Sequence, residues 1–324
     1  MKQIILFFIF TGLQAGWTQQ LLPAVEIKAD VQGLKQVERT LVQLIVQARK
    51  CVEDTCIREK NEAFKAFLEE QSEVYAVKWM DFAFDKLKKY VSILRTEDRQ
   101  YRIFTWNLQR KNREHVFFGY IFSENKKKIK RESLKSIGLD KKLILSKLVQ
   151  QPLTAKNWYG ALYQAVITRS IGKKKYYILL GWDGMHDRVY RKIIDVMQAD
   201  GRGDLQFGAP IFFITPKLKQ HRVVVEYMPK AAYFLAYQPA LEALQMDHIQ
   251  SYVEQVDLPF FKVPTGVFDL FVWQQKGFYF LENFSGNQQE WPAKISKELR
   301  KKFLHTFIPV ADHTPANKKQ LLSR

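Results

Sequence analysis

The chain has 324 residues, enough for one large domain or two small ones with a substantial core. Hydrophobic residues make up 47% and aromatics 14%, which excludes global disorder. Its 51 Lys+Arg against 33 Asp+Glu give a formal charge of +18, so anionic partners are the first to consider.

Residues 2–18, KQIILFFIFTGLQAGWT, carry one lysine, an apolar run from Ile4 to Phe10, then small or neutral residues. That is the layout of a secretory signal peptide, with cleavage expected after Thr18. The apolar run is shorter than the ~20 residues that span a bilayer. No cysteine follows it where a lipoprotein would need one, and no later stretch has the length and apolarity of a membrane helix. The expectation is therefore export to the periplasm or beyond, with no transmembrane segment after cleavage.

Residues 19–73 read as a helical hairpin. Leu34, Val37, Leu41, Leu44, Ile45 and Ala48 recur at helical spacing, and Ile57, Phe64, Phe67 and Leu68 repeat the pattern more weakly. Between them lie Cys51 and Cys56, the only cysteines. Five residues along an unbroken helix give about 7.5 Å of rise, beyond the ~4.4–6.8 Å that a disulfide spans between Cα atoms. A chain reversal at this point would bring the pair together, and an oxidising compartment would close the bridge.

From about residue 74 the period shortens, and residues 74–290 read as an antiparallel, β-rich domain. Strands are expected at 90–95, 101–108 and 116–122, followed by a lysine-rich stretch with a helix towards residue 148. The segment Asn157–Gly184 offers two apolar runs around Ser170–Lys173, and it is expected to be a hairpin buried on both faces at the centre of a sheet. Asp183-Gly184 reads as the turn that closes it. Residues 191–197 fit a strand or a short helix equally well. Strands follow at 221–227, 232–237 and 241–249, and 267–273 pairs with 278–283 across Gln275-Lys276-Gly277. The basic tail, 291–324, looks peripheral. The fold class is α+β, mostly β: an antiparallel meander sheet or incomplete barrel packed on the N-terminal helical hairpin.

An ordered set of segments carries a family resemblance. It runs through Tyr101–Asn107, Phe118-Gly119-Tyr120, Trp158–Tyr163, Leu179–Gly184, Ile194-Asp195-Val196 and Phe207–Phe212. Val225-Glu226-Tyr227, Asp247-His248 and Phe268-Asp269 complete it. Over roughly residues 80–285 the chain resembles a family of uncharacterised exported proteins of Bacteroidetes-type bacteria. The resemblance implies an envelope or secreted location and transfers no catalytic residues. The chain departs from it at Met246-Asp247-His248-Ile249 and in a 250–265 loop that lacks acidic, glycine-rich character.

The chain has no G-x-S-x-G, H-E-x-x-H, paired C-x-x-C or P-loop, so no cofactor or metal is expected. The candidate site residues are Asp183, Asp195, Glu226, Asp247, His248 and Asp269. Asp247-His248 is the most suggestive pair, but neighbours on a strand face opposite ways. Asp183, Asp187 and Asp195 fit no calcium loop, and Trp158, Tyr159, Trp182, Trp273 and Trp291 are more economically core than a sugar platform. Lys126, Lys127, Lys128, Lys130, Arg131, Lys173, Lys174 and Lys175 are the anion-facing candidates, with solvated, solubilising surface as the plainer alternative. After export, envelope glycan or lipid replaces nucleic acid as the expected anion. The sequence thus points to a non-enzymatic binding or scaffolding protein of the envelope. The alternative is a secreted, glycosidase-like hydrolase whose carboxylates converge from separate strands.

Overall fold

A computed structural model of the chain describes residues 24–125, 128–138, 141–186, 188–274 and 276–284. The expected signal peptide, the basic tail, Lys126, Lys127, Asp187 and Trp291 lie outside the described residues.

Helix α1 (Ala24–Lys50) and helix α2 (Asp54–Asp81) form the expected hairpin. Leu34, Val37, Leu41, Ile45 and Ala48 of α1 face Ile57, Phe64 and Leu68 of α2, each stripe following the three- and four-residue spacing of one helix face. The chain reverses at residues 51–53. Cys51 and Cys56 are disulfide-bonded there, with Cα atoms 5.6 Å apart. Helix α2 runs past the expected boundary at 73 to Asp81, through a kink at Ala76 (φ 41, ψ −116). The kink turns Trp79 and Met80 into the core, whereas Val74 before it is exposed. That change of face hides the continuing helix from a periodicity reading.

Four antiparallel strands follow in order: β1 (Ser92–Arg95), β2 (Tyr101–Gln109), β3 (His115–Asn125) and β4 (Lys128–Lys135). Alternation sorts their side chains into two layers. Phe104, Trp106, Tyr120 and Phe122 pack on the helical hairpin, and Ile103, Phe117 and Ile121 pack the other way. After α3 (Lys141–Leu148), the second sheet has the order β5-β9-β8-β7-β6. Its members are β5 (Leu153–Thr154), β6 (Leu162–Ile171), β7 (Lys174–His186), β8 (Val189–Ala199) and β9 (Leu205–Phe207). β12 (Val223–Tyr227) also pairs with β8.

The third sheet has the order β11-β10-β16-β15-β14-β13. It comprises β10 (Phe212–Phe213), β11 (Lys219–Gln220), β13 (Leu235–Gln238), β14 (Ala243–Ser251), β15 (Lys262–Gln274) and β16 (Gly277–Phe284). The described chain is thus a mostly β protein with an N-terminal helical hairpin, antiparallel sheets and one sheet curled into a half-barrel. A short parallel pairing of β10 with β16 is the exception to antiparallel order within the sheets.

The layers stack as hairpin, first sheet, second sheet, third sheet. Leu179, Ile193 and Met197 of the second sheet meet the first, while Ile178, Leu180, Ile194 and Val196 meet Leu244, Met246, Phe271 and Phe278 of the third. Both faces of the second sheet are buried along β7 and β8, which explains the two-sided apolar character of the second run of the 157–184 segment, whereas β6 is mostly half-buried. Two details of that segment differ from expectation. β6 ends the hydrogen-bonded strand order instead of lying at its centre, and Asp183-Gly184 is strand, not turn, since β7 continues to His186. A Cβ on Gly184 would overlap the Trp182 indole, so ring packing, not chain reversal, accounts for that glycine.

Candidate functional site

The sequence-derived acids fall into two buried ion clusters and a bulged region. On the inner face of the second sheet, Arg191 of β8 stands directly between Asp183 of β7 and Glu226 of β12 in register. Its Nε and Nη2 donate to Glu226 Oε1 at 2.9 and 2.6 Å, and Nη1 lies 3.9 Å from Asp183 Oδ2. The Tyr159 hydroxyl donates to Asp183 at 3.3 Å. Asp183 and Arg191 are each 1% exposed. Burial would lower the Arg191 pKa, but Tyr159, Glu226 and Asp183 outweigh it and raise it.

Four residues along β8 on the same face, Asp195 forms the second cluster. It accepts from Arg222 Nε at 3.2 Å, the Tyr163 hydroxyl at 3.0 Å and the Val196 N–H at 2.9 Å. Arg222 also donates to the carbonyls of Leu148, Gln151 and Phe207, and neither Asp195 nor Arg222 is exposed. Trp158 Nε1 donates to the Tyr163 hydroxyl at 2.8 Å. Burial, then the adjacent carboxylate, pushes the phenols of Tyr159 and Tyr163 well above their ordinary range.

A glycosidase needs two carboxylates about 5–10 Å apart across a cleft, one of them protonated. Here Asp183 and Glu226 do converge, but onto one guanidinium, and Asp195 is held by another. Such pairs fix strands, and each of these three carboxylates faces a buried guanidinium. Among the described residues no group of three metal-ligating side chains occurs. The two arginines were missed because no local motif marks them. The available signal was parity: Arg191, Ile193, Asp195 and Met197 share the apolar face of β8, and a charge there demands a partner.

The remaining candidates lie where two register shifts adjoin. β14 and β15 slip between Asp247 and Ile249, and β15 and β16 slip between Phe268 and Leu270. Bulges re-aim side chains, and here they bring His248 Nδ1 to 2.9 and 3.1 Å from the Asp269 oxygens. Asp269 also accepts the N–H of Asn283, itself at φ 57. Asp247 does not join them; its carboxylate accepts the Phe234 N–H at 2.6 Å. Burial raises both carboxyl pKa values, against the hydrogen bonds from Phe234 to Asp247 and from Asn283 and His248 to Asp269. The buried Tyr233 hydroxyl has no hydrogen-bond partner among the described residues. Burial, then Asp247 and Asp269, pushes its pKa well above the ordinary value. An imidazole oriented by a carboxylate is half of an acid–base device. No described serine, threonine or cysteine side chain bonds to the ring; Thr265 reaches only the His248 carbonyl, at 3.2 Å.

The basic candidates share one rim. The β1–β2 and β3–β4 turns lie at the same end of the first sheet, because Tyr101 pairs with Ser123 and Ser123 with Lys130. The β6–β7 hairpin arrives there too. Lys175 Nζ lies 2.7 Å from Asp98 in the β1–β2 turn, and the Tyr177 hydroxyl donates to Asp98 and to Gln100 at 2.9 Å. Burial alone would raise the Asp98 carboxyl, but the bonds from Lys175, Thr96, the Gln100 N–H and Tyr177 hold it down at about 2.

Lys128, Lys130, Lys173, Lys174 and Lys175 are exposed. Arg131 is not a free surface cation as expected. It is half-buried and bound to Glu73 at 3.0 Å, Glu69 and Ser72, tying β4 to α2. Lys128, Lys130, Lys173 and Lys174 therefore remain without an ion pair among the described residues, and two sequence runs more than forty residues apart meet at one edge.

Comparison with protein-family models, with curated proteins and with solved structures gave no match.

Proposed function

We propose that this is an exported, non-enzymatic envelope protein that binds or scaffolds on an anionic glycan or lipid surface through the rim of Lys128, Lys130, Lys173 and Lys174. The observation that carries the reading is the meeting of both lysine runs on one rim, where one of the neighbouring acids, Asp98, is taken up by Lys175. Lys126 and Lys127 add to the same run in sequence. Export is supported by the leader-like residues 2–18, by the Cys51–Cys56 disulfide and by the family resemblance. No described helix is long and apolar enough to cross a membrane.

Each lysine near an anionic lipid surface contributes about 1 kcal/mol, so four supply about 4 kcal/mol, roughly a thousandfold in affinity. Screening sets in over a Debye length of about 10 Å at 0.1 M salt. The hydrolase alternative is weakened by the arginine partners of Asp183, Asp195 and Glu226. The test is co-sedimentation of the protein with vesicles containing anionic lipid, with neutral vesicles, and with an acidic polysaccharide, at low and high salt. Salt-sensitive binding to one anionic surface is expected, reduced by joint substitution of the four lysines with glutamine. Binding that ignores salt and these substitutions would refute the reading.

A further inference from the structure

At the other end of the first sheet a cavity opens. β4 pairs with β3 only as far as Lys135 opposite Phe118, whereas β3 and β2 remain paired to His115 opposite Gln109. The β3 edge beyond Phe118 is thus uncovered by β4. A hollow of about 280 Å³ lies there, with Lys65, Trp106, Arg110, Glu114, Phe118 and Lys135 among its walls. Phe118 is half-buried and supplies an accessible ring. Trp106, with no exposed surface, stacks behind it at 5.7 Å between centroids, and its indole N–H is fixed by Asn61 at 2.8 Å.

The charges in the walls are not equivalent. Lys65 is held by both oxygens of Glu62 at 2.9 Å, and Arg110 by Asp54 at 2.9 Å. Glu114 is engaged by Asn112 at 2.6 Å and faces Arg110 at 3.7 Å. Lys135 has no ion pair among the described residues. As the direct cross-strand partner of Phe118, it stands on the same face about 5 Å away at Cβ.

We infer that this cavity binds a single-ring carboxylate, the ring lying on Phe118 and the carboxylate paired with the Lys135 ammonium. Its volume is near the lower end of the ~300–1,000 Å³ usual for small-molecule pockets, which limits the ligand to one ring. An aromatic wall favours a flat or apolar ring face, and one unpaired cation selects one negative charge. The site is independent of the rim proposed above. Lys135 lies seven residues along β4 from Lys128, about 23 Å at strand rise.

The test is calorimetric and ligand-observed NMR titration of the full chain with benzoate and with D-glucuronate, each against a neutral analogue of the same ring, benzyl alcohol or D-glucose. At least one carboxylate should bind about two- to fivefold more tightly than its neutral analogue, the span expected for one partly exposed ion pair. Preference for benzoate would name an aromatic acid as the ligand, and preference for glucuronate a sugar acid. Lys135→Gln, at an exposed position, should fold normally and abolish the discrimination, while glutamine at Lys128 and Lys130 should leave it intact. No binding of either acid, equal binding of the neutral analogues, or discrimination that survives Lys135→Gln would overturn the inference.

Discussion

Arg222→Met is the substitution whose cost the structure specifies most fully. The guanidinium has no exposure and joins Asp195 to the carbonyls of Leu148, Gln151 and Phe207, so one side chain ties β8 to the end of α3, the following segment and β9. Methionine fills much of the volume but takes the guanidinium from the buried Asp195 carboxylate, whose remaining partners among the described residues are Tyr163 and the Val196 N–H. Stranding one member of a buried ion pair costs about 3–5 kcal/mol. The three carbonyls each lose a bond worth about 1 kcal/mol, though some will find other donors. Against a total stability of about 5–15 kcal/mol the variant should be severely weakened.

The assay is urea denaturation followed by tryptophan fluorescence, reading the midpoint at an unchanged slope. Adding Asp195→Leu to Arg222→Met removes the stranded charge and should restore part of the loss, because apolar replacement of a whole buried pair is often near neutral. A single variant within about 1 kcal/mol of the parent would refute the assignment of Asp195 as a charge held by Arg222. A double variant no better than the single would do the same.

Reduction of Cys51–Cys56, or its replacement by serines, should lower stability by about 2 kcal/mol, the chain-entropy value for so short a loop. Thiol labelling of the unfolded, unreduced protein should find no reactive thiol. Asp98, held down at about 2, contributes stability that is complete above its unfolded value and lost as pH falls from about 4 towards 2. Asp98→Asn should flatten that acid limb, and an unchanged limb would show that the Lys175 and Tyr177 bonds do not bear on folding.

Much of the architecture was legible because the local signals are strong. The helical stripe of α1, the reversal at the cysteines and the β6–β7 hairpin around Gly172 are each decided by a few neighbouring residues. Fold class followed from short strands at regular spacing. The errors have different causes: Arg131 is answered by distant acids of α2, and Gly184 by a ring only two residues back. Asp183-Gly184 has the composition of a turn, yet Gly184 is small because the Trp182 ring packs over it.

The candidate sites divide the same way. Asp247-His248 is conspicuous in sequence, and alternation correctly separates the two side chains. The partner His248 does take, Asp269, depends on two register shifts that no periodicity encodes. Arg191 and Arg222 became visible only with β8 established as a strand and β12 as its neighbour. The lysine runs were conspicuous, but their shared rim depends on three hairpins turning at one end.

The central claim, that the lysine rim is the binding surface, is tested most directly by amine-reactive footprinting read by mass spectrometry. The protein is labelled alone and bound to whichever anionic surface it sediments with. Protection concentrated at Lys128, Lys130, Lys173 and Lys174, with exposed Lys111 at the opposite end of the sheet labelled as before, is the predicted result. Uniform protection, or protection of Lys111 while the rim stays reactive, would contradict it.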